Sequence, residues 1–148
     1  MQDPMERAFF EAEVAASRGE IPVGAVVVNS ANGDIIGHAG NRIEELNDPS
    51  AHAEMLAIKM AAHHLTSPRL IDCDLYVTLE PCPMCAGAIS LARIRRLYFA
   101  AFDAKSGGVD HGARVFDHST CHHCPEIIGG VHETRATDML QKFFKARR

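Results

Sequence analysis

"DLYVTLEPCPMC", residues 74 to 85, begins as a strand and ends as something else. Leu75, Val77 and Leu79 alternate with Tyr76, Thr78 and Glu80, the period of two that a strand presents to its two faces. Pro81 keeps Glu80 extended, because its ring disfavours helical backbone at the residue before it. Cys82 stands just before, and Cys85 opens, "CAGAISLAR", a run of small and apolar residues that reads as a helix. At positions i and i+3 of a helix N-terminus both thiols can share one face, where the dipole lowers the cost of thiolate charge. Such a pair suits a soft divalent metal such as zinc.

Working outward, Asp48, Pro49 and Ser50 predict a helix start, after which Met55, Leu56, Ile58, Lys59, Ala62 and His63 follow a helical rhythm. His52 and Glu54 of "PSAHAEM" (49–55) then fall in its first turn. Near the N-terminus, Asp3, Pro4 and Glu6 read as N-cap, N1 and N3 of a capping box over an apolar stripe of Met5, Phe9, Ala12 and Ala16, with an end at Gly19. "VGAVVVN" (23–29) is the almost continuous apolar run of a strand covered on both faces, and Asn32-Gly33 marks a hairpin into "IIGHAG" (35–40). "RRLYFAAF" (95–102) and "EIIGGV" (126–131) read as further strands, and the chain closes on a helix. Helices recurring between strands predict an α/β protein of three layers, in one domain over residues 1–148. Residues 103–125 are irregular, with four histidines and a short helix expected around Ala113 to Phe116. That is too long for an idle connection.

The chain has 148 residues, 47% of them hydrophobic, enough for a real core. It shows neither the apolar h-region of an export signal nor the ~20-residue apolar run of a membrane span. A soluble cytoplasmic protein without membrane contact is expected. Five cysteines, four of them in two CxxC pairs, suit metal binding in a reducing compartment better than a disulfide framework. The net charge of −4 argues against coating nucleic acid by bulk electrostatics, while Arg93, Arg95 and Arg96 and the tail Lys142, Lys145, Arg147 and Arg148 leave room for a local basic patch. Ordinary solvated charge is the simpler reading of both groups.

His52 with Cys82 and Cys85 makes a His/Cys/Cys set, which leaves one position of a tetrahedral zinc open to water. Three protein ligands mark a catalytic rather than a closed site. Zinc lowers the pKa of bound water to about 7, and a neighbouring carboxylate can move its proton to a leaving amine. Glu54 is the candidate. Taken singly, His52 reads as a buried polar contact, Glu54 as a capping carboxylate and one CxxC as a moderate signal; together, with Pro81 beside Cys82, they are far more specific. The rival is a structural zinc site joining Cys82 and Cys85 to Cys121 and Cys124 of "CHHC". Its 35-residue gap exceeds the roughly 15 to 20 of such motifs. Two unliganded thiols at Cys121 and Cys124, and a small buried residue at Cys73, are the plainer alternatives.

H-x-E followed by P-C-x-x-C is the signature of zinc-dependent deaminases of nucleobases. The sequence resembles that superfamily, and within it the bacterial tRNA adenosine deaminases, almost end to end: "IPVGAVVV", "GNR", "DPSAHAE", "LYVTLEPCPMCAGAI", "FDAKSGG" and "FFKARR" carry the likeness. The resemblance implies the deaminase fold, a mixed five-stranded sheet with an N-terminal antiparallel hairpin between layers of helices. It implies one catalytic zinc per chain on His52, Cys82 and Cys85, with Glu54 shuttling protons during hydrolytic conversion of adenosine to inosine at the wobble position of an anticodon, usually of an arginine tRNA. Asn41 matches a residue that hydrogen-bonds the purine and Asp103 one near the ribose and backbone of the anticodon loop. Glu20, Phe144, Lys145 and Arg148 match weaker candidates for neighbouring nucleotides, and Phe144 reads more simply as core packing. A homodimer acting on tRNA rather than DNA is implied as well. The chain departs from the branch in its loop, with His111-Gly112 for a Ser-Leu pair and His122-His123-Cys124 for Asn-His-Arg. Two other readings stay open: a deaminase of a free base or nucleoside such as guanine, cytosine or cytidine, and a non-catalytic zinc-stabilised RNA-binding module.

Overall fold

The computed structural model describes residues 3–147. Five strands form one sheet in the order β2-β1-β3-β4-β5: β1 Gly24–Asn29, β2 Ile35–Gly40, β3 Cys73–Leu79, β4 Arg96–Ala101 and β5 Glu126–Gly129. The hairpin pairs β1 with β2 antiparallel, β1 is antiparallel to β3, and β3, β4 and β5 run parallel. Helices α1 Pro4–Ser17 and α5 Glu133–Lys145 cover one face; α3 Ala53–Leu65 and α4 Pro83–Leu91 cover the other, and a single turn, α2 Ile43–Leu46, follows β2. The expected three-layer mixed sheet with its N-terminal hairpin is therefore present. No helix of the described residues is long and apolar enough to cross a membrane.

The alternation read from β1 and β3 sorts the core. Ala25, Val27, Leu75 and Val77 pack toward α3 and α4, while Val26, Val28 and Tyr76 pack toward α1 and α5. Several details differ from expectation. Asp3 caps α1 by accepting the Met5 N–H at 3.0 Å, but Glu6 turns to Arg135 at 2.6 Å instead of closing a capping box. Helix α3 starts at Ala53, later than the Asp48 signal, because Asp48 spends its carboxylate on the Ser50 N–H and hydroxyl in a tight turn. Its buried stripe is Ala53, Ala57 and Ala61 rather than the larger residues, since β2 presses against it: a Cβ on Gly37 would collide with the Ala57 carbonyl oxygen. Only small side chains fit such a close approach. The short helix expected near Ala113 is a 3-10 turn at Val115–Asp117.

Candidate active site

The carboxyl ends of β2, β3 and β4 lie together at one edge of the sheet, the place where open α/β sheets bind ligands. Asn41 follows β2, Glu80 and Cys82 follow β3, and Phe102 and Asp103 follow β4. The start of α3 brings His52 and Glu54 to the same place. All of these line a cleft of about 1180 Å³.

His52 is the N-cap of α3 with extended backbone, φ −73° and ψ 150°, so its ring leaves the helix axis. This is how side chains two apart converge on one site, which a continuous helix would forbid. Cys82 is the N-cap of α4 and Cys85 lies in its first turn. His52 Nδ1 is 3.7 Å from Cys82 Sγ and 3.5 Å from Cys85 Sγ. A nitrogen and a sulfur on one tetrahedral zinc sit about 3.5 Å apart, given bonds of about 2.0 and 2.3 Å. The donor set fits the metal in type and spacing. Hydrogen bonding from Cys85, and then from His52, brings the Cys82 thiol down to about 4 against the effect of burial. The same bond to Cys82, with burial and the Glu54 carboxyl, pushes the Cys85 thiol up. The hydrogen bond to Cys82 raises His52 against its burial.

Glu54 is 4% exposed, and burial pushes its carboxyl up to about 7, with the charge of Cys82 adding to the rise and His52 opposing it. A carboxyl balanced near neutrality can both take and give a proton. Asn41 is buried, and its Oδ1 accepts the Ala53 N–H at 2.8 Å, which leaves its amide nitrogen as the polar group facing a ligand. Asp103 uses Oδ1 to cap the Lys105 and Ser106 N–H groups at 3.1 and 3.0 Å, leaving Oδ2 for the cleft. Phe144 is 45% exposed, lines the cleft with Lys145 and packs edge-to-face on Phe143, outside the buried core. Glu20 is different: it is buried off the cleft lining and accepts the Glu44 and Glu45 N–H groups at 3.1 and 2.9 Å, anchoring α2. Arg148 lies outside the described residues.

The rival site with four cysteines does not form among the described residues. Cys121 bonds to Ser90 Oγ and the His123 carbonyl, Cys124 to the Pro125 carbonyl, and neither joins a cluster of possible metal ligands. Apart from the His52 set, the described residues hold one such cluster, the exposed Asp3, Glu6 and His132, where Asp3 already caps a helix and Glu6 pairs with Arg135.

Sequence reading missed Glu80. Its side chain has no exposed surface, and its two oxygens accept N–H bonds from Asp103, Val109, Asp110 and His111 at 3.0 to 3.1 Å, with the His111 ring at 2.9 Å. Burial alone would raise this carboxyl, but the bonds from Asp103, Val109 and His111 hold it below the usual carboxylate range. The loop folds around it closely enough that Gly107 admits no side chain. A carboxylate at the end of a buried strand was the available signal, and a faint one, because the glycine-rich loop that binds it lies beyond α4 and β4.

Residues 1–101 match the cytidine and deoxycytidylate deaminase zinc-binding region. The chain belongs to this deaminase family. Among relatives, a tRNA-specific adenosine deaminase of Agrobacterium fabrum is 51% identical over 97% of this chain and 93% of its own. One from Bacillus subtilis is 43% identical over 97% of this chain and 88% of its own. A structure from studies of A-to-I editing by tRNA:A34 deaminases at the wobble position superposes with a TM-score of 0.89 at 51% identity, covering 93% of this chain and 98% of that one. The matched region of this deaminase includes His52, Cys82 and Cys85, the cluster at the head of α3 and α4 that could hold a metal.

Proposed function

We propose that this deaminase converts adenosine to inosine at the wobble position of a tRNA anticodon, in one domain that carries one zinc on His52, Cys82 and Cys85. Similarity to tRNA-specific adenosine deaminases over nearly the whole chain supports the substrate. The observation that carries the chemistry is the placement of Glu54, a buried carboxyl that lines the same cleft as the His/Cys/Cys cluster. When bound there, zinc supplies Lewis acidity that lowers the pKa of water to about 7. Glu54 takes one proton from the attacking water and delivers it to the purine ring nitrogen, then takes the second from the hydroxyl now on C6 and gives it to the amine, so that the C6–N bond breaks, ammonia leaves and C6 keeps a carbonyl oxygen. Asn41 donates its amide N–H to the purine and, held by the Ala53 N–H, fixes the ring in the plane of attack.

The cleft also fits RNA better than a free base. Its volume, about 1180 Å³, exceeds the roughly 300 to 1,000 Å³ of small-molecule pockets. Phe144, Lys105, Lys145 and Arg147 on its rim offer stacking and phosphate contacts for an unpaired loop. Local pockets of this kind make the overall charge of −4 tolerable. We place the protein in the cytoplasm as a homodimer; Met84 and Leu91, the latter 75% exposed, give α4 an apolar outer face that supports self-association.

The test is inosine formation in a synthetic stem-loop with an ACG anticodon, comparing wild type with Glu54→Gln at equal zinc content. Wild type converts the wobble adenosine, and the variant is slowed by about 10²-fold or more. A zinc-loaded wild type that leaves the stem-loop unchanged but deaminates guanine, cytosine or a nucleoside refutes the RNA substrate. Undiminished activity in Glu54→Gln refutes the proton shuttle.

A further inference from the structure

Three large apolar side chains stand exposed where they line the cleft: Ile21, Phe102 and Phe144. Phe102 is set apart by how firmly it is held. It follows β4 directly, and the next residue, Asp103, gives its N–H to the buried Glu80. Phe99 meets its ring edge-to-face at 5.1 Å and 87°, and His111 at 6.1 Å and 74°. Gly129 adjoins the ring so closely that a Cβ there would lie 3.1 Å from it. With this support the residue still leaves 38% of its surface open, in a cleft shared with Asp103 and Lys105. An aromatic ring that is rigid and wet costs hydrophobic free energy unless a ligand covers it.

We propose that Phe102 is a stacking platform for an unpaired base adjacent to the adenosine that is deaminated, and so sets which nucleotide of the loop reaches Glu54. The proposal rests on the RNA reading given above. Stacking suits the position because every base has an aromatic face, so one ring can fix register without reading sequence. Lys105, two residues beyond Asp103, supplies the cation that holds a neighbouring phosphate while the base covers the ring.

The experiment compares wild type, Phe102→Ala, Phe102→Leu and Phe102→Trp, all zinc-loaded, on the ACG stem-loop and on stem-loops bearing one abasic nucleotide at each loop position flanking the adenosine. Phe102→Ala raises KM by about five- to 150-fold, the range expected for loss of one stacked base, with the smaller change in kcat. At one abasic position wild type suffers the same loss and Phe102→Ala suffers no further one, because the two changes remove a single interaction. Phe102→Trp restores KM, whereas Phe102→Leu does not. Losses that add in full at every abasic position overturn the proposal, as does a Phe102→Leu variant equal to wild type. If Phe102→Ala fails to fold, the Leu and Trp variants carry the same comparison. A wild type inactive on the intact stem-loop overturns the RNA reading and this proposal with it; activity with additive losses overturns this proposal alone.

Discussion

Glu80→Gln tests how the cleft wall is built. The substitution keeps size and shape but turns one carboxylate oxygen into a donor. If the amide nitrogen takes the place of Oε2, it confronts three N–H groups, from Val109, Asp110 and His111. Placed at Oε1 it confronts only the Asp103 N–H, while the His111 ring nitrogen can become its acceptor. The second arrangement therefore wins. It orphans one partly buried N–H, which costs about 1 kcal/mol. It also converts three charge-assisted bonds to neutral ones, which are about half as strong. The total is about 3 to 4 kcal/mol, or a melting temperature lower by about 6 to 16 °C in a chain of this size.

The assay is thermal melting of the zinc-loaded proteins, with trypsin cleavage after the exposed Lys105 as a local readout of the loop. Glu80→Gln is expected to melt early and to be cut faster. His111→Ala, which removes the ring bond and the edge contact to Phe102 from a side chain 37% exposed, is expected to cost about 1 kcal/mol. A Gln variant that melts with wild type and resists trypsin equally would show that the loop holds itself, and that the carboxylate is incidental to it.

Other perturbations have outcomes as definite. Gly24→Ala drives a Cβ into the Ala8 carbonyl and to 2.7 Å from the Ala12 nitrogen, so α1 must lift off the sheet, at a cost of about 3 kcal/mol or more in denaturant unfolding. Burial, with Tyr98 stacked 4.4 Å away, pushes Tyr76 from 10.0 up to about 12. The folded protein keeps this phenol neutral after the unfolded chain has ionised it, so stability declines from pH 10.0 up to about 12 and Tyr76→Phe removes that share of the decline, read by alkaline melting and tyrosinate absorbance. Cys82→Ala is expected to abolish zinc binding in elemental analysis, while Cys121→Ala with Cys124→Ala retains one zinc per chain; a second zinc lost with the latter pair would restore a metal role to "CHHC".

What the sequence revealed and what it concealed divide along a physical line. The N-cap at Asp3, the hairpin at Asn32-Gly33 and the convergence of His52, Cys82 and Cys85 show in side-chain chemistry acting over a few residues, or in residue types that offer metal-donor atoms. Both leave marks in residue type and spacing. The buried stripe of α3 did not, because the periodicity of that helix offers Met55, Leu56 and Ile58 as plausibly as Ala53, Ala57 and Ala61. Gly37, on another element, decides between them. Glu80 and Glu20 were concealed more completely. Their partners are backbone N–H groups 23 to 31 and 24 to 25 residues away, and a backbone donor has no residue identity by which to be recognised. A buried acid must nevertheless be satisfied by something. Where no cation pairs with it in the sequence nearby, the donors are to be sought in the backbone of a loop, and a loop bound to a buried acid is by that fact fixed in place. Asp103 and Phe102 gain their settled positions in this way: the feature least visible in the sequence holds in place the wall against which the substrate is expected to lie.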